Sequence, residues 1–114
     1  MYPIQRNRRL RSSASLRALV QEHQLTPNDF IVPLFVVEGT QIKEAIPSMP
    51  GYHRWSTDLL AQKVKTLWAA GLKAVLLFVK VPDALKDNQG TEALNPDGLM
   101  QRAIQTVKNA VPEM

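Results

Sequence analysis

Amines and carboxylates crowd into one stretch of this chain: Lys80, Asp83, Lys86, Asp87, Glu92 and Asp97. A lysine amine can attack a carbonyl carbon when a desolvated site lowers its pKa, and a positioned carboxylate can carry a proton. Phe78 closes the apolar run Ala74-Val75-Leu76-Leu77-Phe78-Val79 just before them. In a parallel α/β protein the loop after a strand lies on the catalytic side of the sheet, so this stretch sits at the right level for chemistry. The residue types carry the argument no further by themselves. Loop carboxylates are mostly solvated, phenylalanine is mostly core, and nothing in the sequence desolvates Lys80.

Other chemistries find less support. His23 and His53 stand far apart, each without a partner ligand at helical spacing, and the chain has no cysteine. No metal site is expected within these residues, since such sites cluster several ligands. The first strand runs into Glu38-Gly39-Thr40. That turn has neither the G-x-G-x-x-G nor the G-x-x-x-x-G-K-[ST] spacing that brings backbone amides onto phosphates, which argues against a Rossmann or P-loop protein.

Charge is unevenly placed. Arg6, Arg8, Arg9, Arg11 and Arg17 all precede the first acid, Glu22, and outnumber the net charge of +4. The basicity belongs to an arm, and the rest of the chain is slightly acidic. A basic arm can stay solvated, contact another subunit or bind nucleic acid. The aromatics that would stack on a single strand are missing, so nucleic acid is not expected. Arg8-Arg9-Leu10-Arg11 directly before a capped helix reads as an ordered contact segment. No apolar run approaches the ~20 residues of a membrane span, and the N-terminus lacks the apolar core of a secretory signal. A cytoplasmic location is the default.

The elements that would position these residues alternate. Residues 1 to 12 read as an extended arm. Ser12 or Ser13 caps a short helix to about Glu22, with Leu16, Leu19 and Val20 as a narrow stripe. Thr26-Pro27-Asn28-Asp29 is a turn. Phe30 to Val37 reads as a strand buried on both faces, with regular pairing from Pro33 onward because proline cannot donate to a ladder. Glu38 to Trp55 is a long connection holding the rigid turn Pro47-Ser48-Met49-Pro50-Gly51. Ser56 caps a helix over 57 to 70, with Leu59, Leu60, Val64, Leu67 and Trp68 inward and Gly71 as its stop. Residues 73 to 79 form a second doubly buried strand. After a polar loop, Asn95-Pro96-Asp97 opens a helix to about 110, with Leu99, Ala103, Ile104 and Val107 inward and Pro112 beyond. Strand, helix, strand, helix implies a parallel sheet, and two such units cannot cover and pair themselves. The chain is expected to be the opening portion of a larger α/β protein.

The ordered set Arg8-Arg9-Leu10-Arg11, Leu16-Arg17, Pro33-Leu34-Phe35-Val36, Met49-Pro50-Gly51, Gly71, Phe78, Lys86-Asp87, Gly90-Thr91-Glu92-Ala93 and Asn95-Pro96-Asp97-Gly98-Leu99 resembles the N-terminal third of the porphobilinogen synthase (5-aminolevulinate dehydratase) family. The resemblance runs from about Gln5 to Met114. It implies a (β/α)8 TIM barrel, incomplete in this chain. Residues 1–29 would be an N-terminal arm with a short helix, and 30–114 the first two βα units. The implied activity is that of a lyase in haem biosynthesis, condensing two molecules of 5-aminolevulinate to porphobilinogen. The implied assembly is a homo-octamer, with Arg8, Arg9 and Arg11 as intersubunit contacts. The family's two Schiff-base lysines, and the zinc or magnesium its members use, lie beyond the equivalent of Met114. Neither Lys80 nor Lys86 matches those lysines, so no catalytic or metal residue is expected here. Phe78 is the one position carried over to the substrate site. The rival expectation is a non-catalytic interaction module that docks on a barrel-like partner.

Overall fold

The computed structural model describes residues 4–114; Met1, Tyr2 and Pro3 of the expected arm lie outside the described residues. Among the described residues four strands form one mixed sheet: β1 (Ile31–Val37), β2 (Lys43–Ala45), β3 (His53–Trp55) and β4 (Ala74–Lys80), in the order β2-β3-β1-β4. β1 and β4 pair in parallel over their whole length, from Ile31 opposite Ala74 to Val37 opposite Lys80. Helix α2 (Thr57–Ala69) connects back toward β4, as the alternating pattern requires, and α3 (Leu99–Ala110) follows it. Among the described residues, no helix is long and apolar enough to cross a membrane.

The register sorts each strand's side chains into two faces. Val32, Leu34 and Val36 face the same way as Val75, Leu77 and Val79, and they pack with Leu60 and Val64 of α2 and with Leu99, Ala103 and Val107 of α3. Ile31, Phe35, Leu76 and Phe78 lie on the other face. Ile31 is 66% exposed, Leu76 51% and Phe78 46%. The expected double burial is therefore corrected: two helices cover one face, and the second is open among the described residues.

Other boundaries shift for local reasons. The connection over 38 to 55 carries an antiparallel hairpin, β2 with β3, whose loop is the expected Pro47–Gly51 turn, closed by the Ile46 N–H on the Tyr52 carbonyl at 3.0 Å. Pairing of β1 starts at Ile31, ahead of Pro33. β3 matches only Phe35 and Val36, so at Pro33 the strand has one neighbour, and an edge tolerates a missing donor. Ser56 is the N-cap of α2, but its hydroxyl accepts the Ile42 N–H at 2.9 Å and ties the hairpin to the helix instead of capping it. Gly71, at φ +94°, ends α2: its N–H reaches the Trp68 carbonyl and Leu72 N–H reaches Leu67. Asn95-Pro96-Asp97 is a turn ahead of α3 and not its first residues, since the Asn95 carboxamide oxygen accepts Asp97 N–H and Gly98 becomes the N-cap. Ile104 of the expected inward stripe is half exposed, while Val111 past the helix end is buried.

The N-terminal segment stands away from this core. Its helix α1 is short, Ala14–Leu19, capped by Ser13 Oγ on the Leu16 N–H at 3.1 Å. Leu16 is only partly covered, and Leu19 is 82% exposed. The radius of gyration is 21.3 Å and the long axis 65 Å, whereas a compact domain of this length has a radius of about 13 Å. Thr26 and Asp29 brace the junction: Asp29 Oδ2 accepts both the Thr26 N–H at 2.7 Å and its hydroxyl at 3.0 Å.

Candidate functional site

At the C-terminal ends of β1 and β4 the open face becomes a hollow of about 510 Å³, a volume suited to a small molecule. Phe78 and Phe35 form its aromatic wall as directly opposed neighbours, with centroids 5.4 Å apart and planes 19° apart. Tyr52 meets Phe35 edge-on at 6.3 Å. Around these rings stand Arg54 of β3, Lys80 of β4, and Lys86, Asp87 and Glu92 of the following loop.

The charged groups there are tied to one another. Glu44 Oε1 accepts from Arg54 at 2.9 Å and from Lys80 at 3.4 Å. Lys86 pairs with Asp83 at 2.6 Å. Asp87 Oδ1 accepts the Gln89 and Thr91 N–H groups at 3.0 Å, folding the loop back at Gly90. Glu92 takes the Asn95 carboxamide at 3.1 Å. These bonds decide the roles. The Thr91 side chain and amide hold the Asp87 carboxyl below its ordinary range, and the Lys86 ammonium does the same for Asp83. Both stay ionised at neutral pH and serve loop structure, which does not suit a general acid. Asp97 lies in the Asn95 turn, outside the hollow's lining.

Lys80 is half exposed and ion-paired, the reverse of the desolvated setting a nucleophilic lysine needs. His53 lies beside Trp55, ring centroids 5.7 Å apart, and exposed His23 accepts the Gln21 carboxamide on its carbonyl. Among the described residues, no three metal-ligating side chains gather to hold an ion. These residues do not fit a zinc or magnesium cage. Arg8, Arg9 and Arg11 are exposed along a single 3-10 turn, which Arg17 pins by donating to the Arg11 carbonyl at 3.0 Å.

Sequence reasoning missed Arg54 and Glu44. They sit ten positions apart, and only the hairpin brings them together. Pro50-Gly51 was the available signal, as a turn between two short strands.

These features define an α/β protein with a ligand-sized hollow at the carboxyl ends of its parallel strands. The family model of delta-aminolevulinic acid dehydratase matches residues 4–114, and the chain belongs to that family. It is 46% identical over 109 residues to the delta-aminolevulinic acid dehydratase of Chlamydia pneumoniae, covering 96% of this chain and 33% of that protein. The Bacillus subtilis enzyme gives the same identity and the same coverage. The crystal structure of delta-aminolevulinic acid dehydratase (porphobilinogen synthase) from Toxoplasma gondii, in complex with the reaction product porphobilinogen, aligns with a TM-score of 0.90 at 43% identity. That alignment covers all of this chain and 32% of that one. The chain thus spans about a third of the length of the relatives it matches.

Proposed function

We propose that this chain supplies the opening part of a porphobilinogen synthase, a lyase that condenses two molecules of 5-aminolevulinate to porphobilinogen in haem biosynthesis. Residues 1–29 act as the arm, and 30–114 as the first two βα units of a (β/α)8 barrel. The observation that carries this reading is the fit, at a TM-score of 0.90 and 43% identity, to an enzyme holding porphobilinogen. The open face fits it too, because strands of a barrel turn one face to its packed interior.

In this reading Phe78 meets substrate at the floor of the site, with Phe35 stacked behind it. The catalytic lysines, and the zinc or magnesium, belong to the remaining two-thirds of the enzyme. Arg8, Arg9 and Arg11 contact a neighbouring subunit of a homo-octamer in the cytoplasm. The described segment is exposed along its length, as a segment reserved for another surface would be.

The test is to express the longer reading frame that contains these residues and supply 5-aminolevulinate. Porphobilinogen is the expected product, and the 114 residues alone should form none. If the longer protein makes no porphobilinogen while the chain captures a barrel-like protein, the interaction-module reading replaces this one.

A further inference from the structure

One rung of the sheet crosses all four strands. Glu44 opposes Arg54, Arg54 opposes Phe35, and Phe35 opposes Phe78. An ion pair and an aromatic stack therefore share a single line from β2 to β4. Lys80, two residues beyond Phe78 on the same face of β4, reaches back to Glu44 Oε1, the oxygen that Arg54 already occupies. This contact joins the two edge strands of the sheet, over the ends of the two strands between them.

We propose that Glu44 is a positioning residue: by gripping Arg54 and Lys80 together it fixes the rim at which Phe35 and Phe78 present their rings to a ligand. The role rests on the porphobilinogen synthase reading for the identity of that ligand. Glu44 itself does not line the hollow, whereas Arg54 and Lys80 both do. Two cations on one carboxylate leave the Arg54–Lys80 side of the rim with one positive charge in excess, while Asp87 and Glu92 against Lys86 leave the loop side with one negative charge in excess. The cationic side is where the acid group of a small ligand would lie against the apolar wall. Without Glu44 the two cations repel each other, and β2 loses the Glu44–Lys80 tie to β4. The hairpin is otherwise short, with three residues in each strand.

The experiment compares E44Q, K80M and the double variant in the longer protein that carries this chain. Steady-state kinetics with 5-aminolevulinate and amide hydrogen exchange over 43–55 are both read. Each single variant should raise KM roughly two- to fivefold, the range expected of a partly exposed ion pair. kcat should stay within about twofold, because the chemical step is untouched. The double variant should be no worse than the worse single variant, and K80R, which keeps the charge, should restore the original KM. Exchange at Lys43–Ala45 should quicken in E44Q, and high salt should bring the unaltered protein toward the variants by screening the pair.

An unchanged KM in both single variants, or additive effects in the double, overturns the positioning role. If the unaltered protein forms no porphobilinogen, the reading of function fails separately. Exchange then decides the clamp alone: faster exchange in E44Q supports it, and unchanged exchange overturns it.

Discussion

Phe35 and Phe78 are direct cross-strand partners whose rings stack at 5.4 Å on the face of the sheet opposite the one that α2 and α3 cover. Their order in the chain makes this possible. The parallel register fixes one opposite the other, and Arg54 and Lys80 line the same hollow.

Replacing Phe78 by alanine in the longer protein removes the stack and the exposed ring together. An aromatic pair contributes about 0.5–1.5 kcal/mol beyond its buried area, so KM for 5-aminolevulinate should rise roughly two- to tenfold. Phe78→Tyr keeps the ring and should stay near the original value. Equal KM for the alanine variant would remove Phe78 from the substrate site.

Much of this arrangement was legible in the residues, and the misses have physical causes. The adjacency of β1 and β4 followed from two apolar runs flanking one amphipathic helix. The stop at Gly71 followed from the need for a left-handed residue. Double burial was inferred because Phe30 to Val37 is apolar at nearly every position. Composition records that both faces can be buried, and not whether this chain covers them. The hairpin escaped because Lys43-Glu44-Ala45 and His53-Arg54-Trp55 are too short to show a period of two. Asn95 has the right chemistry for a cap, but its carboxamide oxygen is used within its own turn, a competition that only the backbone path reveals. Phe78 could be placed at the level of the site from its strand position alone. Glu44 could not, because its significance lies in two contacts made across the fold.

The Thr26–Asp29 brace gives a pH dependence of known sign. The Thr26 amide first, and its hydroxyl second, hold the Asp29 carboxyl below its ordinary pKa of 3.8. A carboxyl with a depressed folded-state pKa stabilises the fold above the unfolded value, and that contribution is lost as pH falls through the folded value. The brace should therefore be at full strength at neutral pH, begin to weaken below about pH 4, and be lost only as pH falls through the lower folded-state value. An NMR titration of the Asp29 carboxyl in the longer protein should show the low midpoint, with a partial return toward the ordinary value in Thr26→Val. A midpoint unmoved by that substitution would show that the hydroxyl plays no part.

The arm carries its own test. Residues 4–25 are exposed except for the half-covered Leu16, and a radius of gyration of 21.3 Å is far above that of a compact chain of this size. Deleting 1–12 from the longer protein should leave each subunit folded and reduce the mass of the assembly in solution. Light scattering after size-exclusion chromatography reads both. An unchanged mass would show that the arginines hold no neighbour.

By themselves the 114 residues should not form a stable monomer. Leu60, Val64, Leu99, Ala103 and Val107 cover one face of β1 and β4. Ile31 and Leu76 remain more than half exposed on the other, and Phe78 nearly half. An apolar sheet face left open in this way marks a surface meant to be covered by other protein. Among the described residues β4 also keeps an unpaired edge, with β1 as its one neighbour, and an apolar edge strand templates association with other chains. The hairpin adds two strands but pairs with β1 at only Phe35 and Val36, so it does little to stiffen the sheet. Size-exclusion chromatography of the purified chain should show association or aggregation, and thermal melting should be broad. A sharp cooperative melt from a soluble monomer would mean that these residues are a domain in their own right, and would favour the interaction-module reading over that of a barrel segment.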